Sequence, residues 1–157
     1  MKILCCALRY YYTAARWPET LAPLFDLGLR LMLAEVFFKS GLTKIKNWDS
    51  TLYLFSDVYQ VLLLNPELAA YLGTGAELVL PVLLVLGLFT RFAAAGLFIL
   101  NGVAVISYYS ELSEAGINQH IYWGLLLAVL LILSRGQWSI DAKLRGLSLN
   151  FDKPTSP

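Results

Sequence analysis

Residues 92–110 run for nineteen positions without one charged side chain. As a helix rising 1.5 Å per residue, such a stretch covers roughly 30 Å, the thickness of a bilayer's hydrocarbon core. Windows at 21–42, 66–89 and 119–133 are also predominantly apolar, although the first two carry charged side chains and the dry part of the last begins only at Ile121. Apolar residues make up 58% of the chain and charged residues 15%, against about 25% charged in an average soluble domain. The runs are continuous and do not alternate, which argues against a transmembrane β-barrel. The expected fold is therefore an all-α membrane protein. It forms one domain over 1–157, a four-transmembrane-helix bundle with spans near 21–42, 66–89, 92–110 and 119–133. The net charge of +1 leaves no electrostatic footprint for a nucleic-acid partner.

Between the first two spans, Leu52, Phe55 and Tyr59 recur at three- and four-residue spacing. This is the stripe of an amphipathic helix, expected in the outer loop, either on the membrane surface or capping the bundle. Pro66 followed by Glu67 marks a helix start. Lysine and arginine set the orientation. Lys2, Arg9, Arg16, Arg91, Arg135, Lys143, Arg145 and Lys153 fall on one side of four alternating spans, and Lys44 and Lys46 on the other. Both termini are then cytoplasmic. The apolar patch at 3–8 is too short for a signal peptide. Tyr10, Tyr11 and Tyr12 read as an interfacial anchor. The adjacent Cys5 and Cys6 are poorly placed to bridge one another and read as bystander thiols. The tail, 146–157, is expected to be flexible.

The first span carries Asp26, Arg30, Glu35 and Lys39. A charge at mid-bilayer costs roughly 2.5–3.5 kcal/mol on insertion scales, so each needs a partner or a task. On a helical wheel, Asp26, Arg30, Ala34, Phe37, Gly41 and Lys44 share one face, while Glu35 and Lys39 fall near the opposite one. Both Asp26–Arg30 and Glu35–Lys39 are an acid four residues before a base, the favourable order for a helical ion pair. Two polar faces suggest an oligomer or an added partner. In the second span Glu77 precedes Pro81, whose missing N–H frees the Glu77 carbonyl. Arg30 is the expected partner of the Glu77 carboxylate, with Lys39 and Asn101 as competitors. A structural ion pair and a site for a proton, a cation or a polar ligand both fit this group. His120 reads first as a hydrogen-bonded interfacial side chain. With Glu111 or Glu114 it is a weak metal candidate, and no other metal site is expected.

Arg30, Phe37, Phe38, Gly41 and Lys44 in the first span resemble the first-helix pattern of the DoxX family. Glu77 through Leu88-Phe89-Thr90-Arg91 resembles its second-helix pattern. The stretch from Ser134 to Asp141, with Gly136, Ser139 and Asp141, is similar to its C-terminal signature. Ala34 stands where many members carry glycine, and Lys39 resembles a subgroup feature. The resemblance covers about 20–145 and implies a small, multi-pass, four-helix protein of the bacterial inner (plasma) membrane. It also implies association with quinone-linked oxidoreductases or oxidative-stress complexes. The sequence Phe38-Lys39-Ser40-Gly41 is similar to a subgroup encoded beside small metal-binding peptides and their modification enzymes.

Three functions follow. The first is a non-catalytic membrane subunit of a redox, oxidative-stress or metal-handling system, working with other membrane or redox proteins or as a homo-oligomer. The second is a quinone-binding oxidoreductase subunit, with Arg30 and Glu77 facing the head group. The third is a small proton or solute carrier, ranked last because four spans show no inverted repeat. The chain holds no Cys-x-x-Cys, so a disulfide-forming enzyme is not expected, and no residue stands out as catalytic.

Overall fold

The helices begin and end where the sequence supplies partners for their unpaired backbone groups. A computed structural model describes residues 17–59, 64–134, 139–141 and 143. Helix α1 spans Trp17–Lys46 and α2 spans Trp48–Tyr53, which runs into a π-helical turn at Leu54–Val58. Helices α3 (Pro66–Leu86), α4 (Thr90–Tyr108) and α5 (Glu114–Leu133) follow. The α3 start is capped by the Asn65 side chain, which accepts from the Glu67 N–H at 3.0 Å, with Pro66 in the first turn. Its end is set by Gly87, which turns left-handed at φ +65°. The expected span to residue 89 therefore stops at Leu86. Three residues, 87–89, join α3 to α4. The α5 start is capped by Ser113, which accepts from the Gly116 N–H at 3.2 Å. That cap adds a polar first turn and makes α5 a twenty-residue helix, longer than the window expected at 119–133.

Helices α3, α4 and α5 are each long and apolar enough to cross a membrane. Helix α1 is 30 residues long and carries the four charges noted above. No strand occurs among the described residues. Helix α1 packs along α3, α3 along α4 and α4 along α5, and a smaller contact between α1 and α5 closes the ring. The shared core holds Leu33 and Phe37 of α1, Leu84 of α3, Ala93, Ala94 and Leu97 of α4, and Leu127 and Leu130 of α5. Large apolar side chains also cover the outside, among them Val79, Ile99, Ile106, Leu125 and Ile132. An apolar core inside an apolar surface suits a bundle surrounded by lipid.

The connection between α1 and α3 folds back onto α3. Phe55, Ala69 and Ala70 form a second buried cluster, with Trp48, Leu52 and Tyr59 packed against it. Trp48 also stacks on Tyr71, with centroids 4.7 Å apart. The Leu52, Phe55, Tyr59 stripe thus faces protein. The Thr51 hydroxyl ties the segment to the end of α1 by donating to the Lys44 carbonyl at 2.9 Å.

Close contacts fix the relative heights of the helices. Gly41 lies directly against Leu78 and Glu77 of the antiparallel α3. Arg30 reaches Ser134, just past the end of α5, and lies against Gly87, just past the end of α3. Residues 17–29 of α1 therefore continue beyond the level where the other helices end, by about 20 Å at 1.5 Å per residue. A side chain at position 41 would begin 2.9 Å from Leu78, so Gly41→Val should separate α1 from α3. The expected cost is about 1–3 kcal/mol, read as a lower thermal midpoint in detergent. Gly75 has nothing within 4 Å of its missing Cβ. Gly75→Ala should therefore hold or slightly raise that midpoint.

Candidate functional site

The bundle holds two polar clusters, one at each end of the α1–α3 contact. At the first, the Arg30 side chain is 1% exposed. Its Nη2 pairs with Asp26 one turn earlier at 2.5 Å and donates to Ser134 Oγ at 2.9 Å. Beside it, Asp141 holds the start of α4. Its carboxylate accepts from the N–H groups of Phe89 and Thr90, at 2.9 and 3.0 Å, and from the Thr90 hydroxyl at 3.1 Å. The Asp141 N–H donates back to the Gly87 carbonyl at 3.1 Å. Ser139 is buried against Gly87, where an added Cβ would overlap it. Phe89 is itself left-handed, at φ 50°. A carboxylate satisfying two first-turn donors does the work of an N-cap from 52 residues away in sequence.

At the second cluster, Lys44 Nζ lies 2.7 Å from both Glu77 oxygens and donates to Ser40 Oγ at 2.9 Å. The two charged side chains are 17% and 12% exposed. Across the bundle, Asn101 Nδ2 donates to the His120 carbonyl at 2.9 Å, and His120 Nδ1 lies 2.7 Å from Asn101 Oδ1. The amide donor is committed to a carbonyl, so Oδ1 can only accept. Nδ1 therefore carries the proton, and in the neutral ring Nε2 is left as an acceptor. Trp123 holds the imidazole edge-on, with centroids 5.0 Å apart.

Between these pairs lies a cavity of about 720 Å³. Its polar lining includes Lys44, Glu77, Ser107 and His120, and Phe37, Phe55, Ile99, Val103 and Trp123 supply apolar wall. Lys39, Ser40 and Thr43 also line it. The volume lies within the range of small-molecule sites, which are mostly apolar with a few convergent polar groups. Tyr59 closes one side, edge-on to Tyr108 at 5.3 Å. Burial, then Tyr108 and Glu77, raises the Tyr59 phenol above its ordinary range, so it remains a neutral hydroxyl.

The structure corrects the expected partner of Glu77. Neither Arg30, Lys39 nor Asn101 meets its carboxylate; Lys44 does. Arg30 is held at the far end of the contact by Asp26 and Ser134, and Asn101 turns to His120. Lys39 pairs with Glu35 at 2.6 Å on the exposed face. His120 engages Asn101, and no group of three potential metal-binding side chains occurs among the described residues. Of the motif positions, Phe37 is buried and packs against Trp123, with centroids 6.2 Å apart. Gly41 and Lys44 serve the α1–α3 contact, and Thr90, Ser139 and Asp141 join the Arg30 end. Arg91 is exposed. Gly136, Cys5, Cys6, the three N-terminal tyrosines and the tail at 146–157 lie outside the described residues.

Apolar helices of spanning length, packed around an apolar core, define a helical membrane protein. The DoxX family profile matches residues 25–110, more than half of the chain, from α1 to the end of α4. The chain belongs to the DoxX family. An uncharacterized protein of Haemophilus influenzae is 29% identical over 130 residues, covering 76% of this chain and 82% of that one. No solved structure matches the chain.

Two outcomes test this geometry. Lys44→Met strands a buried carboxylate and should cost about 3–5 kcal/mol, whereas Lys44→Met with Glu77→Leu should recover most of that loss. Thermal unfolding of the single and double variants in lipid nanodiscs measures it. A double variant no more stable than the single one would mean that the pair does not carry the α1–α3 contact. Asp141→Ala should cost about 1–2 kcal/mol, as loss of an N-cap does. Amide hydrogen exchange should then rise at residues 89–92 before it rises elsewhere.

Proposed function

We propose that this chain is a four-span inner-membrane subunit with both termini cytoplasmic, and that its cavity holds a quinone-class amphiphile for a redox system. Among the readings left open by the sequence, the quinone-binding subunit is favoured by one observation. The 720 Å³ cavity is apolar along its length and brings His120 and the Lys44–Glu77 pair to one place. The polar contacts differ from those expected: Arg30 is spent on Asp26 and Ser134, whereas Glu77 acts together with Lys44. An isoprenoid tail fits the wall of Phe37, Ile99 and Val103. A ring hydroxyl can donate to His120 Nε2, and a ring oxygen can accept from the Lys44 ammonium.

The His120 tautomer also gives the site a preference. A neutral Nε2 acceptor rewards a head group bearing a hydroxyl over one bearing only carbonyls, because a carbonyl facing a lone pair forms no hydrogen bond. The reduced, quinol form is thus the better ligand of the pair. The four-span topology rests on α1 lying antiparallel to α3 through the depth of the bundle and on the distribution of Lys and Arg. The α2 segment then covers the outer end of the cavity.

Protein extracted from native membrane in its own lipid should retain a quinone or quinol, identified by mass spectrometry. In reconstituted protein, a short-chain quinol should bind about ten-fold more tightly than its quinone. His120→Phe should erase that preference, since one hydrogen bond to the head group is worth about that factor. Equal binding of the two forms by the unaltered protein would sink the head-group assignment. Absence of any bound or bindable quinone would sink the quinone reading itself.

A further inference from the structure

The cavity does not stop at the bundle surface. Leu72 of α3 and Ile99 and Val103 of α4 line it, yet these side chains are 56%, 65% and 41% exposed. A side chain that meets both an interior volume and the outside marks the place where the two join. All three belong to the boundary between α3 and α4. On α3, Ala69, Leu72, Ala76 and Leu80 succeed one another at three- and four-residue steps, as do Gly96, Ile99 and Val103 on α4. Each row therefore occupies one side of its helix. The rows touch near the Gly87 turn, where a Cβ at Gly96 would begin 2.7 Å from Leu80. Farther from the turn, the cavity separates them. Tyr59, edge-on to Tyr108, bounds the opening at its other end.

The depth of the opening follows from the same turn. Ile99 lies nine residues from the start of α4, and Glu77 nine residues from the end of α3. Each is about 13 Å from the turn. The opening is thus level with the Lys44–Glu77 pair, at a depth where the surroundings of a spanning bundle are acyl chains. The opposite side of the cavity has a different chemistry. Lys39 and Thr43 of α1 line it there and are exposed. An alkyl chain laid against them would strip water from an ammonium and a hydroxyl. Laid between Leu72 and Ile99, the same chain exchanges lipid carbon for protein carbon and desolvates no polar group.

We propose that the gap between α3 and α4, framed by Leu72, Ile99 and Val103, is a lateral portal through which the ligand enters from the bilayer and from which its distal tail remains in lipid. The ligand is then a membrane-dissolved, long-tailed amphiphile whose head group occupies the interior beside Lys44 and His120. Leu72 and Ile99 select for the tail, whereas His120 selects among head groups. The route rests on the quinone-class reading of the cavity.

Uptake of two quinols by the protein in lipid nanodiscs tests the portal, one bearing a long isoprenoid tail and the other the same ring without a tail. Leu72→Trp and Ile99→Trp, made separately, each place an indole across the opening. Either should lower the ratio of tailed to tail-free uptake rates about ten-fold, the effect of a modest steric barrier. Val79→Trp alters a residue of α3 that is just as exposed but does not line the cavity, and should leave the ratio unchanged. Ile99→Ala widens the opening and should raise the ratio, which keeps the test available if the indoles prevent folding. A ratio indifferent to Leu72 and Ile99, or an equal loss for both quinols, would overturn the portal while leaving the head-group site in place. Failure of the unaltered protein to bind either quinol would overturn the quinone reading, and the portal with it.

Discussion

A guanidinium in an apolar bundle must be neutralised, and the position where this happens for Arg30 sets the level of every other helix. Asp26 supplies the charge from one turn away, and Ser134 supplies an acceptor from the end of α5. With Arg30 held at that level, Gly87 can pass close to it only because it has no side chain. The left-handed turn at Gly87 then delivers Phe89 and Thr90 to the carboxylate of Asp141. The ends of α3 and α5 and the start of α4 are thereby drawn to one buried charge. Replacing Arg30 with an apolar residue would remove more than an ion pair, because it would remove the common reference for three helix ends.

The opposite end of the α1–α3 contact is built differently. Lys44 and Glu77 are each less than one fifth exposed and face a cavity, whereas Arg30 is enclosed by backbone and small side chains. An ion pair beside open volume can exchange partners with a ligand; one enclosed by protein cannot. This difference separates an enclosed end from an end that opens on a cavity within one bundle. It assigns the family's first-helix residues to two tasks, with Arg30 holding the frame and Lys44 facing the cavity.

The helices themselves were legible from continuous apolar runs, and both helical ion pairs of α1 were legible from the four-residue spacing of acid and base. The partner of Glu77 was not. Periodicity places Arg30 and Lys44 on the same face of α1, and only the relative height of α1 and α3 decides which of them meets Glu77. That height is set by contacts between elements, Arg30 against Gly87 and Gly41 against Leu78. The start of α5 was misplaced for a related reason: hydropathy registers the dry part of a helix and passes over a polar first turn capped by Ser113. Asn101 and His120 were each noticed, but their pairing depends on how α4 lies against α5. The cap that Asp141 provides across 52 residues has no local signal beyond the short motif in which it stands.

The projection of α1 past Arg30 bears on how the protein tolerates different membranes. A helix of 30 residues is about 45 Å long and exceeds the hydrocarbon thickness, a mismatch commonly relieved by tilting. Here the surplus lies on one side of the Arg30 level, because α2 folds back at the other end and Lys44 is fixed to Glu77. Because α3, α4 and α5 each have an end at the Arg30 level, a thicker bilayer must be met by those helices as well, whereas residues 17–29 stand clear of the Lys44–Glu77 pair.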